Sequence, residues 1–377
     1  MIVIGAGPAG LAMAGRLAKK GIPYKLFEKS DRVANSWEQF YDRLKLHTIK
    51  PFSNLPHFPL PKSYPTYVPK LDLIEYFHSY VDHFNIEPQF NETISAVHRS
   101  VNGWTVDSSS GSYNASNVVF CTGLIRKPII PDWPGKESFS GELLHSFNYK
   151  NPKPFSGRKA VVVGMGNSGA EIALDLSLNN VETTLAVRDA VNIVPRDFLG
   201  NPTQRTARII NKLPYWLGDG IGKMVRNLTI GDLNRYGIKT SKMAPARQLR
   251  EKGKTPVMDI GTVAQIKKGN IKVKPGVTGI NGGEVSFEDG SNLETDVIIA
   301  ATGYRPGIEE LLDDATLLDH NGIPKYVSCP APNEGLHFVG FDVYSLGIIN
   351  SIYTQSEEVS NNINRAYEGL ESVREVS

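Results

Sequence analysis

The chain opens Met1-Ile2-Val3-Ile4-Gly5-Ala6-Gly7-Pro8-Ala9-Gly10, and the reading of this stretch decides the fold. Four apolar residues ahead of a Gly-X-Gly-X-X-Gly pattern predict a buried strand, a tight turn and a helix over Leu11 to Lys20. Gly5 allows the turn, Gly7 lets a pyrophosphate approach the backbone across Pro8 and Ala9, and Gly10 lets helix and strand pack closely. The N-terminus of the helix then faces the phosphates. A second run, Tyr24-Lys25-Leu26-Phe27, predicts the next strand. It ends in Glu28, 23 positions after Gly5, where an acid holds an adenosine ribose hydroxyl.

The same unit recurs. Ala160-Val161-Val162-Val163 runs into Gly164-Met165-Gly166-Asn167-Ser168-Gly169, a predicted helix from Ala170 to Leu178 and a predicted strand from Thr183 to Val187. This second strand ends in Arg188, 24 positions after Gly164. A cation there pairs with a 2′-phosphate that an acid would repel, which favours NADPH over NADH, although Asp189 follows at once. Asn167 and Ser168 either reach the nicotinamide or pyrophosphate or simply cap the helix. One fold ending in an acid and one in an arginine imply two nucleotides, FAD in the first and NADPH in the second, and hydride transfer between them.

The expected class is therefore α/β, with two Rossmann-like dinucleotide-binding domains, the second inserted in the first. Expected boundaries are 1–150 for the first part of the FAD domain, ending in a linker at 139–149, 151–302 for the NADPH domain and 303–377 for the return to the FAD domain. The proline-rich stretch Pro51 to Pro69 forbids regular helix or central strand and is expected as an irregular wall over the flavin. Apolar residues Ile74, Phe77, Val81 and Phe84 predict an amphipathic helix over Leu71 to Phe84. Val118-Val119-Phe120 before Cys121-Thr122-Gly123, and the run Ile298 to Gly303, read as buried strands whose glycine ends admit a cofactor. Asn201 to Ile238, basic and aromatic-bearing, reads as a lid or packing insert.

Composition narrows the function. The 377 residues carry 41 Lys and Arg against 39 Asp and Glu, a net charge of +2, so neither a polyanion binder nor a disordered chain is indicated. The only cysteines, Cys121 and Cys329, lie far apart, which excludes a redox pair beside the flavin and a thiolate zinc site. The scattered histidines lack metal-ligand spacing, and no metal is expected. At the N-terminus Arg16, Lys19 and Lys20 follow the apolar stretch, whereas a secretory leader has its charge first. No run reaches the length of a membrane span, and a cytoplasmic protein with no nucleic-acid or membrane partner is expected.

Between the two glycine motifs lies Phe139-Ser140-Gly141-Glu142-Leu143-Leu144-His145-Ser146-Phe147-Asn148-Tyr149. This resembles the F-x-G-x-x-x-H-x-x-x-Y fingerprint of flavin-containing monooxygenases and N-hydroxylating enzymes. Tyr41 to His47, Tyr236 to Lys239 and Lys254 to Gly261 are similar to stretches of the plant YUCCA branch, and Ile299 to Tyr304 is similar to the family's ATGY strand end. The resemblance implies that NADPH reduces FAD, that oxygen adds at the flavin C4a position, and that one oxygen atom passes to a small-molecule substrate. A YUCCA-like member would decarboxylate a 2-oxo acid such as indole-3-pyruvate. Animal-type members carry an asparagine where this chain reads Leu46-His47-Thr48, and Asp342 to Gly347 replaces a basic stretch of plant members.

The candidate catalytic residues are His47 and Asn167. The candidate cofactor-binding residues are Gly5, Gly7, Pro8, Ala9, Gly10, Glu28, Lys29, Trp37, His47, Thr122 and Gly123 for FAD. For NADPH they are Gly164, Gly166, Asn167, Ser168, Gly169, Arg188, Thr302 and Gly303. Arg43 or Lys45 is placed to meet a substrate carboxylate or is merely solvated. Oxygenation of a soft nitrogen or sulfur nucleophile, an NADPH oxidase or diaphorase, and a non-catalytic flavoprotein stay open as alternatives.

Overall fold

A computed structural model describes residues 1–377 apart from 102, 211–213, 343–345 and 377. The chain forms two compact units. One comprises Met1–Glu38, Thr48–Lys127 and Tyr304–Ser377, the other Gln39–His47 and Pro128–Gly303.

The first unit is built on a five-stranded parallel sheet in the order Leu336–Phe338, Val118–Phe120, Ile2–Ile4, Lys25–Phe27, Pro88–Gln89. Every residue of Ile2–Ile4 is buried, as a central strand covered on both faces requires. Pro8 takes the first turn of the helix Pro8–Lys19, where its missing N–H costs nothing. A three-stranded antiparallel meander, Ile94–Ser100, Gly103–Ser108 and Gly111–Ala115, precedes the strand Val118–Phe120. Its Val97, Trp104 and Val106 share a core with Phe120, Leu336 and Phe338. The helix Ile348–Val376 closes the unit, and buried Arg16 reaches it through Ser356 Oγ (3.1 Å) and the Tyr353 carbonyl (3.0 Å).

The predicted amphipathic helix runs from Lys70 to Phe84, but its buried face is rotated from the one expected. Leu73, Tyr76, Phe77 and Tyr80 are buried, while Ile74, Val81 and Phe84 are only half-buried. The tyrosines win because their hydroxyls satisfy the backbone of the proline-rich stretch. Tyr76 Oη accepts from Leu55 N–H (2.8 Å) and donates to the Phe58 carbonyl, and Tyr80 Oη donates to the Pro56 carbonyl (3.0 Å). Chain that cannot form regular structure is thereby held on a helix.

The second unit repeats the sheet, in the order Ile271–Lys274, Glu182–Ala186, Lys159–Val163, Val297–Ala300, Glu142–His145, again all parallel. A second meander, Val277–Asn281, Glu284–Phe287 and Asn292–Glu294, precedes Val297–Ala300. The two units differ in where the fifth strand comes from. In the first it arrives from the C-terminal part of the chain. In the second it is the fingerprint itself, with Leu143 opposite Ile298.

The boundary expected at residue 150 therefore falls at Lys127–Pro128, because the fingerprint is an edge strand of the second sheet rather than a linker. Gln39–His47 also moves to the second unit. Asp42 N–H donates to the Lys150 carbonyl (2.8 Å), Arg43 pairs with Asp175 at 3.1 Å, and Tyr41 is buried beside Tyr149. The return begins at Tyr304. The departure from plant members at Asp342 to Gly347 falls partly on 343–345, outside the described residues. No helix among the described residues is long and apolar enough to cross a membrane.

His337, on the edge strand of the first sheet, is buried between Ser328 Oγ (3.0 Å) and Asn117 Oδ1 (3.2 Å). Burial lowers its pKa from 6.5 to about 4. The unfolded chain therefore binds more protons than the folded one as pH falls from about 6.5 towards 4, and folding stability drops across that window. The expected loss is about 2 kcal/mol between pH 7 and pH 5. Urea unfolding of wild type and His337→Gln at both pH values checks it. The variant should lose that part of the acid sensitivity.

Candidate functional site

In each unit a glycine turn puts a helix N-terminus at the carboxyl edge of the sheet, where ligands of open α/β sheets bind. Gly5 has φ +99°, and a Cβ there would lie 2.8 Å from the Cys121 carbonyl oxygen. A Cβ on Gly10 would sit 1.8 Å from the Gly5 carbonyl oxygen, so helix and turn touch through backbone alone. Around Gly7 nothing lies within 4 Å of the same imagined atom, which leaves open space over the turn. The helix Pro8–Lys19 has no side-chain cap, so its first N–H groups remain for an anion.

Glu28 completes this cradle. One carboxylate oxygen accepts from Ala6 N–H inside the turn (2.7 Å), the other from Ser30 N–H (2.9 Å) and Oγ (2.8 Å). Thr122 Oγ1, just beyond Val118–Phe120, is buried without a hydrogen-bond partner, and Gly123 beside it has φ +74°. An orphaned hydroxyl, an open turn and an uncapped helix at one sheet edge fit a dinucleotide pyrophosphate. Lys29 is exposed beside Glu28, and Trp37 meets Phe77 edge-on with ring centroids 5.9 Å apart.

The second cradle has the same backbone. Gly164 has φ +104° with the Ala301 carbonyl oxygen 2.6 Å from its imagined Cβ, and Gly169 would meet the Gly164 carbonyl oxygen at 1.9 Å. Gly166 is open and the helix Asn167–Ser177 carries no side-chain cap. Asn167 and Ser168 therefore do not cap it. Asn167 Oδ1 accepts from Met258 N–H (2.8 Å), joining the helix to the strand Val257–Asp259. Arg188 is exposed and held by Asp189 through Nε (3.2 Å) and Nη2 (3.1 Å). An exposed pair of neighbours is worth little, so a phosphate competes with Asp189 readily.

The two Thr-Gly strand ends differ. Thr302 Oγ1 donates to the Ile129 carbonyl, whereas Thr122 Oγ1 has no partner. Gly303 accepts from Ile129 N–H (3.0 Å) and lies 3.1 Å from His145 Nε2. His145 Nδ1 accepts from Phe147 N–H (3.1 Å), so both ring nitrogens are engaged. Burial lowers its pKa from the ordinary value, with the Gly303 contact acting the other way. This is a neutral histidine fastening the fingerprint to the strand end. Next to it Ser146 Oγ is buried and unpartnered.

Two acids escaped the sequence reading. Glu171 and Asp175, one turn apart on the helix Asn167–Ser177, are buried and anchor the segment Gln39–His47. His47 Nε2 lies 2.7 Å from Glu171 Oε1, within ion-pair reach, yet neither that oxygen nor His47 Nδ1 has a hydrogen-bond partner. Asp175 takes Arg43 on one oxygen and Tyr149 Oη (2.8 Å) on the other. That carboxylate and burial raise the Tyr149 phenol well above its ordinary range. Arg43 is thus occupied, while Lys45 is exposed. The signal was present as two acids four apart inside an otherwise apolar helix. Cys121 and Cys329 are free and buried, and burial pushes the Cys329 thiol up to about 11, so neither is a ready nucleophile.

Two like cradles in one chain define an oxidoreductase that uses two dinucleotides. The family model described as flavin-binding monooxygenase-like matches residues 1–354, and the chain belongs to that family. It is a flavin-dependent monooxygenase with FAD and NADPH as cofactors. Among its relatives, the probable indole-3-pyruvate monooxygenase YUCCA3 of Arabidopsis thaliana is 37% identical over 358 residues, covering 90% of this chain and 81% of that protein. The indole-3-pyruvate monooxygenase YUCCA1 of Oryza sativa subsp. japonica is 37% identical over 351 residues, covering 90% and 86%. A flavin-containing monooxygenase from Stenotrophomonas maltophilia shares the fold with a TM-score of 0.74 at 19% identity, covering 97% of this chain and 98% of that one. The NADP+-bound cyclohexanone monooxygenase from Rhodococcus sp. Phi1 does so with a TM-score of 0.69 at 19% identity, covering 97% and 84%.

The cradle geometry separates two substitutions that look alike in sequence. Gly10→Ala should lower the melting temperature of the flavin-free protein, because its methyl group meets backbone. Gly7→Ala should leave that temperature unchanged and instead lose FAD on gel filtration. Thermal melting and the flavin-to-protein absorbance ratio read both. A Gly7→Ala protein that keeps full flavin would contradict the assignment of the first cradle.

Proposed function

We propose that the chain oxidatively decarboxylates a 2-oxo acid of the indole-3-pyruvate type, with FAD in the first cradle and NADPH in the second. The balance is 2-oxo acid, O2, NADPH and a proton giving the shortened acid, CO2, NADP+ and water. The observation that carries this reading is the likeness along 90% of the chain to relatives named indole-3-pyruvate monooxygenases. When bound, the two cofactors supply the hydride transfer and the oxygen chemistry.

In this reading the chain's own residues bind, orient and hold protons. The two uncapped helix N-termini take the pyrophosphates, and Glu28 stands at the end of its strand to accept from an adenosine ribose. Thr122 Oγ1 gives its unused hydrogen bond to the flavin nucleotide. Arg188 exchanges Asp189 for a 2′-phosphate. His47 takes its proton on Nε2, facing the Glu171 carboxylate, which leaves Nδ1 to accept from a bound ligand. Asn167 acts as a fixed polar group at the head of the second helix, its Oδ1 pinned by Met258 N–H.

Two outcomes are expected. With FAD-loaded protein, indole-3-pyruvate should yield indole-3-acetate in step with NADPH consumed and with little hydrogen peroxide. Peroxide unchanged by the keto acid would sink this substrate and favour amines or sulfides. Arg188→Ala should raise KM for NADPH about tenfold or more, the range of one charge-assisted hydrogen bond, and leave kcat and KM for NADH nearly unchanged. Steady-state kinetics with both nucleotides measures this.

A further inference from the structure

The helix Tyr215–Thr229 in the second unit buries an arginine and leaves Leu217, Met224 and Leu228 in water. Its buried residues are Gly218 and Arg226, with Asp219, Ile221, Gly222, Val225 and Thr229 half-buried. Ile221 and Val225 are half-buried, whereas three other large apolar side chains lie away from the buried face. Leu217, Met224 and Leu228 follow one another at intervals of seven and four, which puts them on one stripe of an α-helix, and all three are exposed. Trp216, 76% exposed, and Lys223 flank the stripe. A helix of a water-soluble surface has the reverse pattern.

Arg226 fixes this orientation. Its Nη1 donates to Asn192 Oδ1 (2.7 Å) and to the Ser241 carbonyl (2.9 Å). Rolling the helix to bury its leucines would strand Asn192 and the Ser241 carbonyl, both satisfied by that guanidinium. Tyr215 is tied down at the head of the helix, where the Arg250 guanidinium lies over its ring at 4.5 Å and also bonds Asp219 (3.0 Å).

The charge around the stripe is lopsided. Residues 201–256 hold 12 of the 41 Lys and Arg but 3 of the 39 Asp and Glu, a net of +9, leaving 29 against 36 and a net of −7 for the rest. Two of the three acids are neutralised locally, Asp219 by Arg250 and Glu251 by Arg247. Lys223, Lys252 and Lys254 are exposed.

We infer that this face is a docking surface for an anionic lipid bilayer, with the helix lying in the headgroup plane. The aliphatic stripe enters the acyl boundary, Trp216 sits at the interface and the surrounding cations meet lipid phosphates and carboxylates. A second copy of the chain would bring an equally basic surface against this one. A nucleic acid would leave the aliphatic stripe in water. This departs from the expectation of no membrane partner, which rested on the lack of a run long enough to span, since a helix lying on the surface needs no such run. The inference does not depend on the identity of the substrate.

Flotation of the FAD-loaded protein with phosphatidylcholine vesicles, with and without phosphatidylserine, tests it. Wild type should float with phosphatidylserine vesicles, release at high salt and show a Trp216-dependent fluorescence shift that Trp216→Phe removes. The triple variant Leu217→Ser, Met224→Ser, Leu228→Ser should bind about tenfold or more weakly, with flavin content and NADPH oxidation unchanged. Wild type failing to float, or the triple variant floating equally well, overturns the proposal. So does a wild-type dimer that the triple variant turns into a monomer, since the stripe would then be covered by a second copy.

Discussion

Backbone touching backbone at two points holds the rest of this structure in place. Helix Pro8–Lys19 meets its turn where Gly10 faces the Gly5 carbonyl, and helix Asn167–Ser177 does so where Gly169 faces the Gly164 carbonyl. No side chain can intervene at either contact. The contact brings uncapped N–H groups and the helix dipole to the carboxyl edge of a parallel sheet, and each sheet then has to be buried on both faces by the helices and meander that follow. The cradles are thus consequences of close packing, and their openness over Gly7 and Gly166 is what remains once that packing is satisfied.

That constraint also explains which parts were legible in the sequence. The strand, turn and helix at Ile2 to Lys19 and its repeat at Lys159 to Ser177 could be read because backbone geometry demands particular residue types at fixed spacing. Strand order could not. Residues 142–145 look like a linker until their register with Val297–Ala300 is known, since pairing between distant segments leaves no local mark beyond an apolar run. The rotated face of Lys70–Phe84 was hidden for a related reason. Tyr76 and Tyr80 count as ambivalent in periodicity, and their burial goes with the carbonyls of Phe58 and Pro56 to which they donate.

Polar residues inside the second unit were the least legible. His145 is a fixed position of the fingerprint, and both its ring nitrogens are engaged, by Gly303 and Phe147. Glu171 and Asp175 were not singled out in the sequence and prove to be buried anchors for Gln39–His47. In both cases the sequence names the group and only the packing assigns its partner. The unspent atoms among the described residues, Thr122 Oγ1, Ser146 Oγ, His47 Nδ1 and Glu171 Oε1, are informative for the same reason: buried polar atoms are normally satisfied, and these four stand near glycine-rich strand ends or the head of a helix.

The central claim is that the two cradles hold different nucleotides and that hydride passes from one to the other. Anaerobic mixing of the FAD-loaded protein with NADPH, followed by flavin absorbance, tests it most directly. The account predicts bleaching of the flavin at one equivalent of NADPH and far more slowly with NADH. Flavin that stays oxidised with excess NADPH would contradict it.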